Sequence, residues 1–239
     1  MRFIGHLDMM RYFQKAMRRA SIDIAYSEGF SPHQIMSFAS PLGVGLTSEG
    51  EYLDIEVHTT RSTKESLAAL NAVMAEEVEV LEYRLLPDDA KNAMSLVAAA
   101  DYEIFFRNPA DNPFTQDSLT EALHRFYEEQ ESILIVKKTK KSEKEMDLKP
   151  LIAECCVIEQ SKEDGALPGQ PGFFFRLSAG STDNIKPELV LQAFFAFCKE
   201  KGLASVSFEP ARFSVNRREV YARENGALVP LGAFGEDIA

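Results

Sequence analysis

Two histidines and a carboxylate in the first 33 residues are the side chains best suited to chemistry in this sequence. His6 and Asp8 head a stretch whose apolar residues, Met9, Met10, Phe13, Ala16, Met17 and Ala20, recur at helical spacing. The spacing predicts a helix over about 6–20, which puts His6 and Asp8 at an N-terminus. Backbone N–H groups there lack partners, and the helix dipole favours an anion. A second imidazole, His33, closes the run Tyr26-Ser27-Glu28-Gly29-Phe30-Ser31-Pro32, which is rich in turn formers. If that turn runs back to the same end of the sheet, His6, Asp8, Arg11, Tyr26, Ser27 and His33 line one surface. Such a set could bind a metal, move protons, or hold a phosphate or carboxylate together with Arg2. A structural role competes with all three. Asp8 near the third helical position meets the dipole and can pair with Arg11, and His33 can serve a turn carbonyl. The expectation is a substrate- or anion-binding surface made of these six residues, with no catalytic residue and no metal ligand among them.

The same helix carries Arg11, Lys15, Arg18 and Arg19 opposite its apolar stripe, and no further Lys or Arg follows until Arg61. Lys15, Arg18 and Arg19 are therefore candidates for phosphate or RNA contact, against the simpler reading of a solvated helix face. A second cluster, Lys137, Lys138, Lys140, Lys141, Lys144 and Lys149, is interrupted by Glu143, Glu145 and Asp147 and reads as an exposed hairpin. Gly43-Val44-Gly45 is too short for a dinucleotide fingerprint, and no phosphate-binding loop with its Gly-Lys-Ser/Thr ending occurs. Cys155, Cys156 and Cys198 read as packing residues, and neither their spacing nor that of the histidines suits a structural zinc or an iron–sulfur cluster. His58 and His124 read as surface residues.

These side chains must be positioned by an α+β fold. A short strand at 2–4 precedes the first helix; extended stretches at 22–26 and 34–39 and an alternating run at 51–57 follow. A helix over 63–75 and a strand at 78–83 complete the order β-α-β-β-α-β. The first strand is shorter than usual, and the natural chain is expected to begin upstream. After a polar break and a short helical stretch through Ala93 the order repeats: a strand at 102–106, a helix at 117–129, a hairpin at 133–136 and 144–148, strands at 152–158 and 172–177, a helix from Pro187, and a closing strand at 205–208. This describes two tandem ferredoxin-like units with antiparallel sheets, each with both helices on one sheet face. The boundaries are 1–87 for the first unit, 88–98 for a linker, 99–215 for the second unit and 216–239 for a C-terminal tail. Asn225-Gly226 marks a hairpin turn in that tail, which is expected on the second unit.

The chain has 239 residues, 45% of them apolar and 26% charged, which suits a folded core, and its length suits two domains. With 26 basic and 37 acidic residues the net charge is −11, which opposes a general nucleic-acid coat. The first 24 residues nevertheless hold five basic and two acidic residues. No apolar run approaches a membrane span, and Arg2-Phe3-Ile4-Gly5-His6 is no secretory leader, so a cytoplasmic location is expected.

Arg2-Phe3-Ile4-Gly5-His6-Leu7-Asp8, Arg11, Arg18-Arg19, Ala25-Tyr26-Ser27-Glu28-Gly29-Phe30-Ser31-Pro32-His33, Ser37-Phe38, Pro41-Leu42-Gly43 and Glu51-Tyr52-Leu53-Asp54 together resemble the bacterial radical SAM-linked family of unknown function. Lys137–Lys141 before Glu145-Met146-Asp147 extends the resemblance into the second half, and Ser31 departs from the family's more usual Asn. The resemblance implies an accessory domain, found beside or fused to a cobalamin-binding radical SAM protein, that binds that enzyme's substrate or docks on it. The chain would then carry no cofactor itself; an iron–sulfur cluster, S-adenosylmethionine and cobalamin would belong to the partner. Tandem ferredoxin-like units are also similar in outline to CRISPR repeat-processing endoribonucleases, which makes an RNA-binding or RNA-processing module the alternative. A third reading is an interaction protein that uses its Phe-rich second unit for contact.

Overall fold

The structure, a computed structural model, describes residues 2–138, 143–161, 169–181 and 183–239. It is mixed α and β with antiparallel pairing, and the chain divides into two compact units, Met1–Val97 with Val220–Ala239, and Ala98–Glu219.

In the first unit α1 (His6–Arg19) forms where the apolar period places it. Asp8 in its first turn and Arg18 and Arg19 in its last complement the dipole at both ends. Met17 and Ala20 are buried against Ile24 and Leu70, with Phe13, Met36, Leu53 and Ile55 packed around them. The strands are short: β1 (Asp23–Ile24), β2 (Met36–Phe38), β3 (Thr47–Ser48), β4 (Leu53–Ile55) and β5 (Val57–Thr59). β2 pairs with β4 and β1 with β5, so the alternating run at 51–57 serves two ladders. Glu56 is the switch point, donating its N–H to Ile35 and accepting from Ala25.

Two expected strands of this unit do not form. Arg2 is held by the 43–45 loop instead, its Nε donating to the Gly45 carbonyl and its own carbonyl accepting from Gly45 N–H, while Phe3 and Ile4 stay exposed. Residues 78–83 join no ladder. Their backbone is satisfied by α2 (Thr63–Asn71): Asn71 both donates to and accepts from Val80, and the Thr63 hydroxyl donates to Tyr83. Side chains thus supply the partners that a neighbouring strand would have supplied. α2 starts with a Ser62–Glu65 capping box and ends short of the expected 75, its last residue turned to this task. Part of the stretch expected as a linker, 88–98, is ordered structure: α3 (Ala93–Leu96) is capped by Asn92 and tied to Asp54 through the Ala93 N–H.

The end of the chain belongs to this unit too. Asn225 and Gly226, at φ 49° and 87°, turn β11 (Phe213–Glu224) into β12 (Ala227–Pro230), the hairpin that Asn-Gly announces. Beyond it Leu85 and Glu236 exchange both backbone bonds, and Ile238 bonds the backbone and hydroxyl of Thr63. The tail that the sequence suggested for the second unit finds its open backbone partners here. Thr63→Val removes a hydroxyl that donates to Tyr83 and accepts from Ile238, and it should cost about 1.5 kcal/mol. Limited proteolysis reads the effect as faster loss of the C-terminal residues; an unchanged cleavage rate would show that the strap holds without this hydroxyl.

The second unit runs β6 (Val97–Phe106), α4 (Gln116–Tyr127), an inserted hairpin of β7 (Leu134–Lys138) and β8 (Glu143–Asp147), β9 (Ile152–Glu159), β10 (Pro171–Ser178), α5 (Pro187–Glu200) and β11. The strand order β11-β6-β10-β9 sets β6 and β10 in the middle. The closing strand is β11, not 205–208, which joins no ladder; β6 begins at Val97, earlier than expected. Phe173 on β10 and Phe106 on β6 meet Phe194 and Phe195 of α5 in one cluster of rings, and Phe175, Leu177 and Ile104 of the same strands are also buried. Most phenylalanines of this unit are therefore used in packing, while Phe174, Phe197 and Phe208 stay partly exposed.

Candidate functional site

The loop that carries the second imidazole closes on itself. Tyr26 and Gln34 form an antiparallel bridge, and one residue further in Ser27 N–H donates to the His33 carbonyl at 2.8 Å. The Ser27 hydroxyl meets His33 Nδ1 at 2.8 Å and accepts from His33 N–H at 3.1 Å. Gly29 supplies the left-handed residue of the turn at φ 110°. At the tip Phe30 is fully exposed. Gln34, 5% exposed, anchors the base, its amide nitrogen reaching the Tyr26 hydroxyl at 3.3 Å and the Gln14 carbonyl of α1 at 3.2 Å. The loop therefore lies beside the third turn of α1.

Side chains leave an α-helix at about 100° per residue, so His6 and Arg11, five positions apart, point about 140° away from each other. His6 turns inward, its ring edge-on to Phe38 at 5.7 Å between centroids, and Phe38 in turn meets Phe13. Asp8 and Arg11 pair with each other at 3.0 Å in solvent. The six expected site residues thus resolve into three settings: Ser27 with His33 and Tyr26 at the loop, Asp8 with Arg11 on the exposed helix face, and His6 against the aromatic core. Among the described residues no three His, Cys, Asp or Glu side chains group in a way that could hold a metal ion. Lys15 and Arg18 are exposed, and Arg19 donates to the Val73 carbonyl beyond the end of α2. Lys140 and Lys141 lie outside the described residues.

His33→Ala should cost only about 1 kcal/mol in chemical denaturation, because one side-chain bond is lost while the backbone bond between Ser27 and His33 remains. A loss well above that would show that the imidazole holds the loop rather than serving a ligand.

Two features lie outside the sequence reading. Arg176 in β10 grips Asp101 through Nε at 2.7 Å and Nη2 at 2.8 Å, and Glu154 through Nη1 at 2.7 Å. Asp101 is 5% exposed, and such a carboxylate needs a fixed cation. The signal was present: a lone Asp inside the apolar run of β6 and a lone Arg in the Phe-rich β10 must find each other across the sheet. The other feature is Phe30, an aromatic inside a turn too short to return it to a core.

The cysteines are not equivalent. Burial pushes the Cys198 thiol up to about 12 and raises Cys155 further, with the neighbouring Cys156 adding to the latter. Cys156, expected to pack, is exposed on β9; desolvation and then Glu154 still raise its pKa, while Arg176 lowers it. A raised pKa leaves less thiolate at a given pH. Native protein at pH 8 should therefore alkylate slowly at Cys156 alone, with the rate rising as pH rises, and at Cys155 and Cys198 only after unfolding. Mass mapping of the adducts checks this, and rapid labelling of Cys198 in the folded chain would contradict it.

No helix among the described residues is long and apolar enough to cross a membrane. A family model described as "uncharacterized protein conserved in bacteria (DUF2344)" matches residues 1–187, and the chain belongs to that family. No curated protein matches the sequence.

Proposed function

We propose that this member of the family is a binding module without a catalytic centre of its own, an accessory domain that docks on a cobalamin-binding radical SAM enzyme or holds that enzyme's substrate. The observation that carries this reading is the closed 26–34 loop, whose Ser27 and His33 bond each other at the base while Phe30 keeps its ring in water. Exposed apolar surface on a preformed turn is recovered when a partner covers it, with little ordering left to oppose binding. The side chains suited to acid–base work are, by contrast, matched in pairs: Asp8 with Arg11 and Ser27 with His33. His33 uses Nδ1 in its pair, which turns Nε2 away from Ser27 and toward any anionic group that approaches the loop.

The identity of the enzyme served comes from the sequence resemblance over Arg2–Asp8 and Ala25–His33. The iron–sulfur cluster, S-adenosylmethionine and cobalamin would be the partner's, and the setting would be the cytoplasm. We read the second unit as a complete ferredoxin-like module by its strand order, and the first as a related module opened where Arg2 and residues 78–83 leave the sheet.

The test is co-elution of the purified chain with the cobalamin-binding radical SAM protein encoded in the same genome. A stable complex is expected. Failure to co-elute, with binding of a structured RNA that weakens steeply as salt rises, would put an RNA-binding module in its place. That alternative draws on the exposed Lys15 and Arg18 of α1.

A further inference from the structure

We infer that Phe30 is the anchor of a protein-docking surface on the first unit, made with Leu7, Arg11, Arg18 and Tyr26, and that the partner offers it an apolar pocket rimmed by carboxylates. This rests on the docking reading above and assigns the surface that does the docking.

The geometry comes from α1. Leu7, Arg11, Gln14 and Arg18 follow the i, i+4, i+7, i+11 spacing and so form one stripe of the helix. Gln14 is the residue whose carbonyl receives Gln34 from the base of the loop, so Arg11 and Arg18 stand one turn to either side of that junction. The stripe faces away from the buried face defined by Ala16, Met17 and Ala20, and Leu7 on it is 71% exposed. Tyr26 begins the loop, its hydroxyl sharing the Gln34 amide with the Gln14 carbonyl, and Phe30 stands at the loop's tip in solvent. An aromatic anchor on a turn fixed at its base by three Ser27–His33 hydrogen bonds, with arginines on the helix that the base adjoins, has the form of an interface hot spot.

The charge distribution selects the partner. Residues 1–33 hold five basic and three acidic side chains, while the remainder of the chain holds 21 basic and 34 acidic. A cationic region on an otherwise acidic protein attracts an acidic rim and turns the rest of the molecule away from it. Arg18 has no acidic partner among the described residues, so its charge is available to that rim. Leu7 favours a protein pocket over nucleic acid, since an aliphatic side chain offers neither a phosphate backbone nor a base a polar or stacking partner.

Binding of the wild-type chain and its variants to the same radical SAM protein decides the matter. Phe30→Ser should weaken the complex about thirtyfold at an unchanged unfolding midpoint, as expected for a hot-spot residue with no neighbours in the free chain. Arg11→Glu with Arg18→Glu should slow association about tenfold at low salt, and the deficit should shrink as salt rises toward about 0.5 M. Benzoylphenylalanine in place of Phe30 should crosslink to a segment of the partner that contains Asp or Glu. A complex indifferent to Phe30→Ser overturns the surface and leaves the docking reading standing. If the wild-type chain forms no complex, both fall. Crosslinks confined to a second copy of the chain, or to RNA, overturn the choice of partner.

Discussion

Phe194→Ala should remove about 4 kcal/mol from the stability of the second unit. The ring is completely buried and lies edge-on or tilted to four others: Phe114 at 5.8 Å, Phe126 at 5.5 Å, and Phe173 and Phe195 each at 5.3 Å between centroids. These neighbours come from the segment before α4, from α4, from β10 and from α5. No one element can move to fill the space, so the transfer loss and the cavity loss both count. Urea denaturation followed by far-ultraviolet circular dichroism measures the change, and amide exchange localises it to β6 and β10. A loss below about 2 kcal/mol would mean that the ring cluster collapses onto the gap and is less tightly packed than its geometry shows.

Gly172→Ala should cost about 3 kcal/mol, an unusually large price for one methyl group. The added Cβ would stand 2.3 Å from two atoms of the Phe105 ring and 2.6 Å from the Ile104 carbonyl oxygen. A ring can rotate aside, but a carbonyl in β6 moves only with its strand, and β10 pairs with that strand from Phe173 to Ser178. Phe105→Ala should therefore relieve part of the strain and not all of it. The double-mutant cycle of Gly172→Ala with Phe105→Ala should show a favourable coupling of about 1–2 kcal/mol. Strict additivity would show that the carbonyl alone sets the cost, and an alanine tolerated within about 0.5 kcal/mol would show that the two strands can part at this point.

Much of the architecture was legible because it depends on local pattern. The helices α1, α4 and α5 follow apolar periods that repeat over at least three turns, and Gly202, at φ 68°, stands just beyond α5 where a left-handed residue is needed. Ser62 caps α2 with reciprocal side-chain bonds to Glu65, a device written in four adjacent residues, whereas the Thr115 cap starts α4 at Gln116, one residue ahead of its expected start. Asn225-Gly226 named its turn outright. The misses share a cause. Residues 78–83 and 205–208 have the alternation of strands, but a strand exists only when another backbone lies beside it. In the first case Asn71 and Thr63 took that place, and in the second β11 had already completed the sheet.

The candidate site divides along the same line. That His33 would sit in a turn and Asp8 in a first helical turn follows from residue type and spacing, since capping, dipole and turn preferences act within a few residues. The sequence by itself also determined the charge contrast between the basic first helix and the acidic remainder, which folding cannot alter. Only the tertiary structure decided that His6 turns toward Phe38 while Arg11 turns to solvent, that Ser27 holds the imidazole, and that the tail returns to the first unit. Those outcomes depend on which groups meet across gaps of 6 to 175 positions. Contacts at such separations are selected by the packing of the whole chain, because the entropy of closing each loop is met only when many of them form together.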